Sequence, residues 1–435
     1  MRYTRDVGLG VVIAVAVLVP SPLPAQQFSG RFITSFDTWE KFDTVGASHK
    51  VFRGFQSAIL EIAHGNISLH TNMQAATTST DVAVADESDY RLYNLYLKIK
   101  DVANRGDVSL GRVPYFYGVG MGTLDGAIVS ARTDDRLYRV TLYGGVTPPN
   151  DFGVHSIGSV KDKFALGGQV LFNPLPDFRG GVSYVNRRQP LPQYYTIRAN
   201  PQTLDGSTVL IVPEPEKEQL GGVDLTYTKG GMRTFGRYDY NFELNKTQYA
   251  QLGVRYTVNP DIQVTVYATR REPNVPAGSF FSQFTLKGTT EIEGGADYFV
   301  LPGIRTFLRG AFVAYDGDNS VRYSAGIGRE DVQLVIRGNT GYAGELASIS
   351  LQGAHAFFDG HVVPNAGISY MSYRVDAEAP RYTATSVVLG TTLRPTSAVS
   401  LDLQGQWLDN FIVKSDFRFV GRLHFWFSDH LNLFD

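Results

Sequence analysis

The sequence predicts an all-β fold, a transmembrane antiparallel β-barrel with an even number of strands, about 16–22. Three observations carry this. Polar and apolar residues alternate with a period of two from Phe28 to the end of the chain. Short turns recur on one side of the strands and the long polar connections fall on the other, where a few, such as Asn245–Thr247 and Asp316–Asn319, are also short. No apolar stretch beyond the first 25 residues approaches the ~20 that a membrane helix needs.

The alternation is clearest in the last strand. In DFRFVGRLHFWF, Phe417, Phe419, Leu423, Phe425 and Phe427 occupy one phase, and Arg418, Val420, Arg422, His424 and Trp426 the other. Successive side chains of a strand point to opposite faces, so this strand has one greasy face and one cationic face. The same scheme recurs in NISLHTNMQA, FGRYDYNFEL, YAQLGVRYTV, DIQVTVYAT, VQLVIRG and VSLDLQGQW. A soluble sandwich or propeller also has alternating strands. A soluble core of this size, however, would not leave Arg, Asp and Glu on one phase of its innermost strands, whereas a wet lumen would. No repeat of ~40–50 residues marks propeller blades.

The connections supply the second signal. His64–Asn66, Thr133–Asp135, Asn173–Asp177, Lys229–Gly231, Asn259–Asp261, Leu301–Gly303, Asp359–Gly360 and Pro395–Ser397 hold the Gly, Pro, Asn and Asp that tight reversals need. Trp39–Lys50, Thr77–Ser88, Thr147–Asp162, Arg188–Lys217, Arg271–Gly288 and Val375–Arg381 are long and polar. About 22 strands can be placed between them, and the two kinds then fall on opposite rims. An even count puts both ends of the barrel on the short-turn rim.

The N-terminal segment has a basic start at Arg2 and Arg5, an apolar run from Val7 to Val19, helix-breaking prolines and Ala25. It reads as a secretory signal peptide over residues 1–25, leaving residues 26–435 as a single barrel domain. The chain has no Cys, which excludes disulfides, thiolate catalysis and Cys-ligated metals. A net charge of -2 gives no basic field for nucleic acid. The eight His lack the spacing of a metal site, and no nucleophile–base pair is legible, so the chain is not expected to be an enzyme or to need a cofactor.

The final strand resembles the terminal strand of bacterial outer-membrane barrels, which alternates in this way and ends on an aromatic. Here Phe434 is penultimate and Asp435 last, which departs from that pattern. A second stretch, SLGRVPYFYGVGMGTLDGAIVSA (Ser109–Ala131), is similar to the region of trimeric porins where a strand ending in Gly-Arg leads into a loop that folds into the pore. The resemblance implies a Gram-negative outer-membrane location, outer-membrane lipid and the barrel assembly machinery as partners, small polar solutes as cargo, and a possible homo-oligomer. It also implies a constriction loop over Pro114–Thr123, with Arg112, Tyr115, Phe116 and Tyr117 as narrowing residues.

The polar phase nominates the pore wall. Glu61, Arg237, Asp239, Glu243, Arg255, Glu291, Glu293, Asp297, Arg309, Arg337, Asp402, Arg418 and Arg422 would face the lumen. Mixed signs suggest a broad, weakly selective channel rather than a one-sign filter. Two other readings remain open at this level. One is a non-conducting barrel that binds partners through its long loops. The other is a specific transporter with an aromatic track inside, which the mostly outward aromatic phase does not favour.

Overall fold

In the computed structural model, the described residues are 26–42, 48–80, 87–149, 152–153, 161–191, 193–199, 206–275, 281, 284, 286–376, 378–412 and 414–431. The expected signal peptide and the terminal Phe434 and Asp435 lie outside them. Twenty-two strands make one sheet, and the sheet closes because the first strand pairs with both the second and the last.

In chain order the first nine strands are β1 (Gln26–Phe42), β2 (Ser48–His64), β3 (Ile67–Thr80), β4 (Glu87–Val102), β5 (Gly106–Tyr117), β6 (Gly120–Arg132), β7 (Tyr138–Val146), β8 (Phe164–Leu175) and β9 (Phe178–Gln189). A separate two-stranded hairpin, β10 (Tyr194–Ala199) and β11 (Gly206–Ile211), stands in the connection that follows. The wall resumes with β12 (Glu216–Lys229), β13 (Met232–Asn241), β14 (Lys246–Asn259), β15 (Ile262–Arg271), β16 (Thr289–Leu301), β17 (Ile304–Tyr315) and β18 (Asp318–Gly328). It ends with β19 (Val332–Gly341), β20 (Glu345–Ala354), β21 (Val362–Arg374), β22 (Tyr382–Thr396), β23 (Val399–Asn410) and β24 (Asp416–Leu431).

Every wall pairing is antiparallel, and β9 joins β12 directly across the extra hairpin. Wall strands run from 9 residues in β7 to 17 in β1. A tilted strand of ~9–11 residues spans the hydrocarbon of a bilayer, so the wall strands other than β5 and β6 are long enough to cross. Closure matters because lipid satisfies no free backbone edge.

Register partners share a face, so the greasy and polar phases can be followed round the whole wall. Leu252, Ala268, Ile292, Phe312 and Val321 form one outward row across β14–β18. Leu308, Leu389 and Leu142 lie on the same outer phase and are 63%, 62% and 60% exposed to the surroundings of the chain. Such a belt of large apolar groups would be costly against water and suits acyl chains. The opposite phase, which holds the charges, faces the lumen.

Turns join the strands on the rim where the sequence placed them. Gly65, Gly230 and Gly303 have positive φ there, the left-handed conformation that glycine tolerates. The longer connections gather on the other rim, called here the loop rim. A three-residue helical turn, Phe358–Gly360, stands between β20 and β21.

Candidate functional site: a lumen narrowed by an inward hairpin

The wall ladder carries bulges at several strand pairs, but the tips of β5 and β6 depart from it altogether. Up to Arg112, β5 pairs with β4, and beyond it only with β6. Likewise β6 pairs with β7 only from Asp125 to Arg132. The remaining tip, from Val113 to Leu124, therefore leaves the wall. Sequence reasoning drew this stretch as a loop over Pro114–Thr123. It is instead a continuous β-hairpin with a two-residue turn at Gly118 and Val119. Aromatic and β-branched residues extend the ladder on both sides of the turn.

The tip folds over the inner surface of β7, β8, β9 and β12. Its lumen-phase side chains Val113, Tyr115 and Leu124 pack with Tyr143, Ala165 and Val185 in one buried cluster. Tyr115 stacks on Tyr143 at 4.6 Å between ring centroids, and Tyr117 on the same ring at 5.8 Å. At the turn, the Val119 N–H donates to Ser183 Oγ at 3.0 Å. Gly118 has φ +61°, and a Cβ there would overlap the Ser183 side chain. A side chain at 118 would push the hairpin off the wall.

The bend itself is set by Gly111 and Arg112. Gly111 has φ +126°, and a Cβ would overlap the Leu95 carbonyl. Arg112, 9% exposed, makes a forked pair with Asp125, Nε to Oδ1 at 2.7 Å and Nη2 to Oδ2 at 2.9 Å. Its Nη1 donates to the carbonyls of Leu92, Phe152 and Gly153 at 2.9, 3.2 and 3.3 Å. The Leu92 N–H in turn donates to the Phe152 carbonyl at 2.9 Å. The departing hairpin thus leaves a seam above β4, which the segment after β7 fills and Arg112 ties shut.

This geometry corrects the expectation for the narrowing residues. Arg112 is consumed in the wall and Tyr115 is 1% exposed, so neither faces open lumen. Tyr117 is half-buried against Tyr143. On the hairpin's free face stand Phe116 and its register partner Met121, 71% and 64% exposed. Met121 went unnoticed in the sequence because its role depends on which face turns inward.

The nominated wall residues fall as follows. Glu61, Arg237, Asp239, Arg255, Glu291, Glu293, Asp297, Arg309, Arg337, Asp402, Arg418 and Arg422 all lie on the inner phase of their strands. Glu243 does not: β13 ends at Asn241, and Glu243 sits exposed in the turn before β14. The Asn241 side chain accepts the Leu244 N–H there and closes that turn early.

Most inner charges are paired. Asp297, 3% exposed, accepts from Arg305 Nε at 2.7 Å and Arg309 Nη2 at 2.5 Å. Asp239 pairs with Arg237 at 2.8 Å, and Asp416 with Arg418 at 2.6 Å. Arg322 bonds Glu291 and lies 4.0 Å from Glu293. Asp402 accepts from Thr392 at 2.6 Å and lies 3.1 Å from His424. Glu61 stands 3.6 Å from His70. Arg255, Arg337 and Arg422 make no ion pair among the described residues.

The inner phase is also richer in aromatics than the sequence suggested. Arg53 lies over Trp39 and Phe55 at 5.0 and 5.6 Å. Arg237 and Arg271 flank Tyr249, and Arg305 and Arg309 flank Phe307, all within 5.9 Å. These rings act as platforms for guanidinium groups. Among the described residues no cluster of His, Asp and Glu could hold a metal ion.

No family model matches the chain, and no curated protein does. Solved barrels are similar to it in fold. The P pilus usher (PapC) translocation pore gives a TM-score of 0.49 at 8% identity, over 92% of this chain and 99% of that one. OccK7 (OpdD) of Pseudomonas aeruginosa gives 0.44 at 10%, over 93% and 98%. A BenF-like porin of Pseudomonas fluorescens Pf-5 gives 0.44 at 9%, over 94% and 100%. Such distant likeness carries nothing about cargo. The architecture rests on the chain's own closed ladder and greasy outer belt: this is a 22-stranded, antiparallel transmembrane β-barrel.

Proposed function

We propose that the protein is an outer-membrane channel for passive diffusion of small polar solutes or ions, weakly selective for charge. The carrying observation is the inward hairpin. It folds over part of the inner wall and leaves Phe116 and Met121 exposed on its free face, which supports a constriction in the passage. Away from β4–β9 the inner surface carries both signs of charge, many of them paired, as suits a pore with little ion preference. The greasy belt suits the outer membrane, with the turn rim toward the periplasm and residues 1–25 as an export signal.

The test is single-channel conductance of refolded chain lacking residues 1–25, after a heat-modifiable gel shift shows a closed barrel. Shortening the hairpin between Val113 and Leu124 should raise the conductance about twofold, since the narrowest part limits flow. Closed barrels that never conduct would sink this reading.

That outcome would favour a second reading, a binding barrel that acts through its loop rim. The hairpin β10–β11 supports it: Tyr195 and Ile197 there are 73% and 75% exposed, outside the wall.

A further inference from the structure

Below the inward hairpin, toward the turn rim, the inner surface of β4–β9 forms a cavity of about 590 Å³. Lys98, Lys100, Arg132, Arg136, Arg139 and Arg179 line it, against Asp101 and Asp107. Lys98, Arg132, Arg139 and Arg179 follow the inner phase by register, through Ser109, Thr141 and Gly181 on neighbouring positions. The wall seals them from lipid, so a ligand would reach them only through the lumen.

The balance of charge is unlike the rest of the barrel. Arg132 bonds Asp101, and Asp107 accepts the Asp101 N–H at 3.1 Å. Lys98, Lys100, Arg136, Arg139 and Arg179 have no carboxylate partner among the described residues. Arg139 also stands directly opposite Arg132 across the β6–β7 ladder. Like charges in that position repel, and an anion between them would remove the penalty. Converging guanidinium and ammonium groups on one patch of the inner wall fit an oxyanion with several charges, which guanidinium can hold through two parallel bonds.

We propose that this recess is a binding station for compact polyanions of the diphosphate or phosphate-ester class, on the turn-rim side of the constriction. The proposal goes beyond the channel reading, and binding can be measured whether or not the barrel conducts. The probe is inorganic pyrophosphate, titrated calorimetrically into detergent-refolded barrel lacking residues 1–25. Binding should be at least tenfold tighter than for chloride and should weaken as salt rises. The double variant R139Q/R179Q should lose tenfold or more in affinity, and K98Q/K100Q should lose several-fold, with the gel shift retained. Lys229→Gln, a turn-rim cation outside the recess, should bind as the parent does. Equal affinity in the parent and in both double variants, or no preference over chloride, would overturn the proposal. In a conducting barrel, pyrophosphate should also block more strongly from the turn-rim side than from the loop side. Symmetric block would likewise count against it.

Discussion

Two sectors of one wall use the same alternating pattern to opposite ends. On the side of β16–β24, carboxylates and guanidinium groups find one another: Asp297 takes two arginines, Asp416 one, and Asp402 a histidine. On the side of β4–β9, the inner surface divides by height into a buried tyrosine-rich cluster and a recess of unpartnered cations. The difference follows from the hairpin. By covering the middle of the wall with apolar packing it removes that surface from water, and it confines the remaining charge to the rim below. Alternation alone makes a wet pore, and a fold-back within it makes two sides that differ.

The most damaging way to break this contrast is to cut the tie at the bend. Arg112→Leu leaves Asp125 and three carbonyls without their donor. It should cost about 3 kcal/mol, in the range for breaking a largely buried pair. Urea-dependent loss of the gel-shifted band would measure it, and conductance of surviving barrels should rise. An unchanged midpoint would mean that the seam is held by something else. Next in size is Gly118→Val. Its positive φ and the overlap with Ser183 should together cost about 2 kcal/mol and lift the tip. The readout is a larger, noisier conductance, and a parental trace would refute the docking contact.

Asp297→Asn sharpens the comparison from the other side. It takes the shared carboxylate from Arg305 and Arg309, so two further cations join the unpaired Arg337 and Arg422 in that sector. Reversal potentials in a salt gradient should then move toward anions, with the gel shift intact. No movement would show that the pair lies outside the conducting path. The smallest effect is expected from Phe116→Ala and Met121→Ala on the hairpin's free face. Stability should change by under about 0.5 kcal/mol, as for exposed positions, while conductance rises slightly.

How legible was this in the sequence? The period of two and the order of short and long connections carried the barrel, an even strand number within about 16–22 and both rims, because these are local signals repeated many times. Twelve of the thirteen nominated wall residues stand on the inner phase for the same reason. Glu243 kept the phase of β13 but lay past its end, where the Asn241 side chain turns the chain back. The hairpin was harder. Its location was visible in the Gly-Arg pair, yet the face that packs inward depends on Ser183, Tyr143 and Val185, which are distant in sequence. The cationic recess was missed because Lys98, Arg132, Arg139 and Arg179 come from four strands, each unremarkable alone.

The last contact to consider is the join between the two ends of the wall. Thirteen register pairs run from Gln26 opposite Leu431 to Thr38 opposite Phe419. They connect the most separated parts of the chain, so the entropy of loop closure is largest there, and zipping them is expected to be the slow and late step of folding. The hairpin and its partners from β7 to β12 are neighbours in sequence and sit well away from that join. The constriction can therefore be in place while the sheet is still open. A barrel assembled in this order is born already narrowed.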